Sequence, residues 1–308
     1  MNFGSILSVA GSAAAVIFTF GIVILFHEFG HFIVSKMSGV KVIEFSFGFW
    51  KELFGFDYKG TRYSLRAIPL GGFVKMAGDE IEESKGEEGE FFAAPWYKRI
   101  GIVLAGPAMN YILAILVFSM VFASWGKPAI SKKPVVGEVV SEMPADKAGI
   151  IKNDMIKSID NRAIETWEDV AKNIHPRADN EIELKVQRGG DVLTFKVIPE
   201  LDSKNNVGVI GIMPLTEYER LNVFAAVKEG GYQAYFWTYF TVKYLGSKIA
   251  KFEKPDIAGP VGIVQIVTKV AKHGMRDLLF LIALISVSIG WFNLIPMSPL
   301  DGGHIVLY

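Results

Sequence analysis

The sequence predicts a multi-pass α-helical membrane protein with a membrane-associated β-hairpin and one small soluble α+β domain. Three observations carry that prediction. First, three long spans carry no Asp, Glu, Lys or Arg: residues 1–26, 101–126 and 278–300. About 20 apolar residues cross a hydrocarbon core, so each span is long enough. Second, the chain is 51% hydrophobic with a mean hydropathy of +0.32, high for a soluble fold and incompatible with disorder. Third, the polar stretch between the second and third spans has strand and helix patterns of its own.

Taken in order, residues 1–36 form the first membrane helix. No Lys or Arg precedes its apolar run, and the run is too long for the core of a cleaved signal peptide. Residues 37–99 hold the hairpin and a linker. Residues 42–47 and 63–68 alternate as strands, with a turn at 57–60 and Gly71, Gly72 and Gly78 closing the pair. Residues 79–90 carry seven acids and one Lys, the composition of a solvated, mobile linker without chemistry. Residues 100–126 form the second membrane helix. Residues 127–205 read as the soluble domain, with strands at 135–140, 154–159, 181–188 and 192–197, and helical turns at 145–149 and 167–174. Residues 206–277 form an amphipathic interfacial region, in which the aromatic stretch 217–250 (Phe224, Tyr232, Tyr235, Phe236, Trp237) predicts a helix along or partly across the outer surface. Residues 278–308 hold the third membrane helix.

Charge and cysteine content exclude several functions. Lys+Arg 32 against Asp+Glu 32 leaves a net charge of zero, so there is no basic footprint for nucleic acid. With no cysteine there is no disulfide framework and no thiolate metal site or nucleophile. Residues 1–26 carry no basic residue, whereas 36–99 carry ten. That asymmetry predicts an outside N-terminus, 36–99 at the cytoplasmic side, and the soluble domain outside.

The chemistry lies within the first apolar helix, at His27-Glu28-Phe29-Gly30-His31. Residues four apart differ by about 40° around a helix, so both imidazoles share a face. Two neutral imidazoles so placed can bind one zinc ion, and Glu28 beside them can act as general base on a zinc-bound water; a polar cluster packed against other helices or a proton path would use the same residues. Three ionisable groups in an apolar span are costly unless paired, hydrated or bound to metal. From Val9 to His27 is roughly 27 Å of helix, which puts the histidines in the cytoplasmic half of the bilayer. A third ligand must come from elsewhere. The third span ends Asn293-Leu294-Ile295-Pro296-Met297-Ser298-Pro299-Leu300-Asp301-Gly302-Gly303-His304. Its prolines break the helix and present Asp301 and His304 from unwound backbone as candidate ligands. Asn293 is an uncharged donor able to hold a substrate backbone or oxyanion.

HEFGH in a first membrane helix with a distant N-x-x-P-x-x-x-L-D-G resembles the site-2 protease family of intramembrane zinc metalloproteases, in particular its bacterial RseP-like (regulator of sigma-E protease) members. Residues 71–78 (GGFVKMAG) are similar to the family's hairpin motif. Residues 105–110 (AGPAMN) are similar to its second-helix motif, 144–156 to its PDZ domain, and Gly259-Pro260-Val261-Gly262-Ile263 to a motif before its third helix. The resemblance implies a Zn2+ cofactor held by His27, His31 and Asp301, with Glu28 as base. It implies a bacterial inner-membrane protease cutting membrane-spanning segments of single-pass proteins, such as anti-sigma factors or remnant signal peptides. A PDZ-like domain at 127–205 would take a peptide or truncated substrate C-terminus. Three features depart from the pattern. One such domain fits where some relatives have two, Lys152-Asn153-Asp154 stands where Gly-Asp is usual, and family members continue into a fourth membrane helix. A non-catalytic membrane adaptor or a proton carrier could use the same residues; stoichiometric zinc and chelator-sensitive cleavage separate the three.

Overall fold

The computed structural model describes residues 3–80, 82, 84–254, 259–297 and 300–303. The chain divides into two compact units, Met1–Trp125 with Leu221–Tyr308, and Gly126–Arg220. The first unit opens with α1 (Phe3–Ser38), β1 (Val42–Tyr58), β2 (Thr61–Met76) and α2 (Trp96–Trp125). The second comprises β3 (Lys127–Ile130), β4 (Val136–Val139), α3 (Pro144–Ala148), β5 (Met155–Ile159), β6 (Arg162–Ala163), α4 (Trp167–Ile174), β7 (Ile182–Arg188), β8 (Asp191–Val197), β9 (Glu200–Asp202), β10 (Val207–Val209), β11 (Ile212–Pro214) and β12 (Thr216–Glu219). The first unit resumes with α5 (Val223–Ala250), α6 (Pro260–Ala271) and α7 (Met275–Phe292).

Three helical stretches among the described residues are long and apolar enough to cross a membrane by length and composition: Ala10–Ser38, Trp96–Trp125 and Met275–Phe292. The helix α2 is their common partner. It meets α1 where small residues permit backbone contact: a Cβ on Gly30 would overlap the Ala105 carbonyl, and one on Gly106 would overlap the His31 imidazole. It meets α7 in antiparallel fashion. Phe280 packs edge-on to Phe118, with ring centroids 5.1 Å apart, and ten residues later Gly290 rests on Pro107 and Asn110.

The expectation of an amphipathic interfacial region over 206–277, with a helix along or partly across the outer surface, is refined in two respects. Residues 207–219 are strands of the second unit. And α5 runs lengthwise and antiparallel along α2, with Gly230 against Ser119 and Thr238 Oγ1 2.9 Å from Tyr111 Oη. The cause is a stripe of small buried residues, Ala226, Gly230 and Ala234, spaced by four on one face. That stripe lets the α2 backbone approach and leaves the aromatics on the outer faces.

The hairpin is more elaborate than its sequence pattern. Both strands bend midway, giving four paired segments. The arms pair from Tyr58↔Thr61 to Glu52↔Arg66 around a turn at Lys59-Gly60, both with positive φ. Residues 44–47 are then flanked on both sides: Phe45 is partnered by Tyr63 on one side and by Val74 on the other. Residues 72–76 therefore form an edge of this sheet.

The acidic segment is also more ordered than a mobile linker. Glu90 Oε2 accepts from Ser84 Oγ and from the N–H groups of Lys85, Gly86 and Glu87, at 2.9, 2.9, 2.9 and 3.2 Å. Burial pushes the Glu90 carboxyl up, but these four donors outweigh it and hold its pKa below the ordinary glutamate value. A lowered pKa means a contribution that is full above the ordinary value and lost as pH falls through the lowered one. Hydrogen-exchange protection of the 85–87 amides, corrected for intrinsic rates, is thus expected to persist through the ordinary glutamate range and to be lost only at more acidic pH. In Glu90→Ala it is expected to be absent at pH 7 as well.

The second unit has a four-stranded antiparallel sheet in the order β6-β5-β7-β8. Ile182, Leu184 and Val186 alternate inward with the strand period and pack with Ile156, Ile159, Val170 and Ile174. Asn153 stands at φ 72°, the left-handed region that Asn tolerates better than most non-glycine residues. The departure from Gly-Asp at 153–154 is thereby accommodated. Asp154 is fully buried and held by Arg188 through two 2.8 Å bonds.

Candidate metal centre

His27 and His31 lie on the buried face of α1, one turn apart, facing α2. Asp301 arrives from the segment after α7. The Gly302 N–H donates to the Asn293 carbonyl at 2.7 Å, and a Cβ on Gly302 would overlap the Ile295 carbonyl. Glycine after Asp301 is thus a packing requirement of the turn that delivers the carboxylate.

The three donors converge. His27 Nε2 lies 2.9 Å from Asp301 Oδ2, His31 Nε2 lies 3.4 Å from the same oxygen, and the two Nε2 atoms are 3.2 Å apart. His27, His31 and Asp301 form a potential metal-holding group, with ligand atoms all within 4.8 Å of one another. Ligands about 2.0–2.1 Å from one tetrahedral zinc stand roughly 3.3 Å from each other, which matches. Two further observations support the fit. Asp301 Oδ2 is buried and receives no hydrogen bond of good geometry despite the two nearby nitrogens. His31 Nδ1 stands 2.7 Å from the Ile102 carbonyl. A carbonyl only accepts, so the His31 proton is on Nδ1 and its Nε2 lone pair faces the other two donors. A lone pair and a carboxylate oxygen converging in a buried space are the donor set a metal ion would satisfy.

Glu28 lines a cavity of about 430 Å³ with His31, Asp301, Phe73, Val74 and Asp79. Its carboxylate accepts from the Val74 N–H on the β2 edge, and the Met76 N–H donates to Asp79 Oδ2 at 2.9 Å. The edge of the sheet therefore borders the site, and acids occupy its two outward donors at 74 and 76.

Of the sequence-derived site residues, the structure brings His27, Glu28, His31 and Asp301 together. Asn293 instead lines an apolar groove with Phe20, Ile263, Leu284, Ser288 and Leu300; its backbone, through Gly302, holds the Asp301 turn. His304, the alternative third ligand, lies outside the described residues. Sequence reasoning passed over the contribution of α2. Ile102, Gly106 and Asn110 follow at intervals of four on one face: a carbonyl on His31, space for both imidazoles, and an amide against His27. The available signal was a Gly and an Asn four apart in an uncharged apolar span.

An HExxH helix with a distant carboxylate, set in a bundle of apolar helices, defines a membrane-embedded metal-dependent hydrolase. The comparisons specify it further. The chain matches the model of peptidase family M50, the site-2 protease family, over residues 15–308, and it belongs to that family. Proteins provisionally named zinc metalloproteases are similar over nearly its whole length. One from Mesorhizobium japonicum is 37% identical, over 97% of this chain and 88% of its own. One from Clostridium acetobutylicum is 36% identical, over 95% and 84%. Among solved structures, the PDZ domain of an SdrC-like protein from Listeria monocytogenes aligns with 28% of this chain and 92% of its own, at TM-score 0.25 and 20% identity. The chain is thus a membrane metalloprotease, and zinc is the metal its relatives are named for.

Proposed function

We propose that this protein hydrolyses peptide bonds within the transmembrane segments of single-pass membrane proteins. The observation that carries the reading is the convergence of His27, His31 and Asp301 in a chain of apolar helices, with Glu28, His31 and Asp301 lining a cavity between α1, α2 and the β2 edge. His27, His31 and Asp301 would hold the zinc ion, which supplies Lewis acidity toward a peptide carbonyl and lowers the pKa of water. Glu28 takes the proton from the attacking water and delivers it to the leaving amine. The 72–76 edge borders the cavity, and an unwound substrate segment can be held there by strand addition once its carbonyls displace Glu28 and Asp79 from the outward N–H groups at 74 and 76. A helical segment must unwind first, because its hydrogen bonds shield the scissile carbonyl. Asn293 remains a substrate-holding candidate, reached along the apolar groove that it lines.

The basic residues of 36–99 favour an inner-membrane protein with its N-terminus and second unit outside, and the site in the cytoplasmic half of the bilayer. In the second unit, an apolar groove of about 290 Å³ runs between α4 and β10–β11, lined by Trp167, Val170, Ile174, Val209 and Ile210. It suits the apolar end of a peptide or a truncated substrate C-terminus, the role of a PDZ-like domain. A cleavage assay in liposomes tests the enzymatic reading. A model transmembrane segment is expected to be cut by zinc-loaded protein, spared after chelation, and cut again when zinc is restored. Cleavage indifferent to chelator would remove the metalloprotease reading.

A further inference from the structure

We infer that Asn110 is a positioning residue. Its side-chain oxygen fixes His27 with the proton on Nδ1 and so leaves Nε2 free to bind metal. The inference rests on the zinc reading above.

Asn110 is fully buried, and its amide stands 3.2 Å from His27 Nδ1. As placed, the nitrogen Nδ2 faces the ring and Oδ1 is buried without a hydrogen-bond partner. An amide N–H facing Nδ1 demands a lone pair there and puts the His27 proton on Nε2. That is the atom facing Asp301 and His31, and a protonated Nε2 cannot ligate. The two ends of an amide are isosteric. A half-turn about Cβ–Cγ exchanges the two ends: Oδ1 comes to Nδ1 and accepts its proton, Nδ2 takes the place of the oxygen, and the Nε2 lone pair is directed into the donor cluster. In that orientation α2 treats both histidines alike: an acceptor on Nδ1 of each, the Ile102 carbonyl for His31 and the Asn110 side chain for His27. Ser286 Oγ donates to the Asn110 backbone carbonyl at 2.8 Å, fixing this turn of α2 against α7.

The test is zinc affinity, measured by chelator competition on protein in nanodiscs, with a thermal midpoint recorded for each variant. Asn110→Leu and Asn110→Ala, which offer no acceptor, are expected to bind zinc about 10–100-fold more weakly. Asn110→Asp accepts the same proton and is expected to stay within about threefold of wild type or to bind more tightly. The assignment is overturned if the Ala and Leu variants bind like wild type. It is equally overturned if Asp is as weak as Ala at an unchanged thermal midpoint, since packing alone would then explain the loss. Should Leu fail to fold, the Ala and Asp pair decides. Wild-type protein that holds no zinc would refute the metal reading itself, an outcome distinct from zinc-loaded wild type with an indifferent Asn110→Ala.

Discussion

Glu28→Gln is expected to lower the rate of transmembrane-segment cleavage by about 10²–10⁴-fold, the usual contribution of a positioned general base, while leaving bound zinc near one per chain. The two readouts separate because Glu28 is not among the converging donors: those are the two histidines and Asp301. Glutamine keeps the size and an acceptor oxygen, so the bond from the Val74 N–H is weakened rather than abolished, and the β2 edge stays in place. What is lost is basicity. A variant that cuts at the wild-type rate would show that another group moves the proton. A variant that also loses zinc would show that Glu28 matters to the site's electrostatics rather than to proton transfer.

Much of this site was legible because its parts are local. The HEFGH spacing needs only helical periodicity to put two imidazoles on one face. Glycines and a proline flank Asp301 closely enough to mark it as presented from a broken helix end. The parts that stayed hidden depend on what packs against what. The contribution of α2 to the site required knowing that α1 crosses it at Gly30 and Gly106. Neither glycine marks itself as a crossing point, since glycines in apolar helices have several uses. The α5 helix misled for a related reason. Its aromatics are the stronger signal in composition, but its position is set by Ala226, Gly230 and Ala234, which attract no notice one at a time. The acidic loop misled because a charge run says solvent, while a single buried carboxylate, Glu90, gathers four donors around itself. The bends in the sheet were equally out of reach: alternation marks strands, but which segment flanks 44–47 on its second side is a long-range fact.

Asp301→Asn is expected to be the most damaging conservative change to metal binding, lowering zinc occupancy sharply in the same competition assay. The carboxylate supplies the negative charge among the three converging donors, and an amide oxygen is a far weaker ligand for a dication than a carboxylate. The change is nearly isosteric, so the Gly302–Asn293 bond and the packing of Gly302 on Ile295 persist, and loss of zinc cannot be charged to a misplaced turn. The amide can also donate to the histidine Nε2 atoms, 2.9 and 3.4 Å away, and fill the cluster with hydrogen bonds in place of an ion. Direction and partner are both at stake. Zinc that remains stoichiometric and equally tight in Asp301→Asn would transfer the third-ligand role to His304, and the double substitution with His304→Ala would then be the one to empty the site. If instead zinc falls in Asp301→Asn and His304→Ala binds like wild type, the metal is held between the first apolar helix and the carboxylate that ends the third.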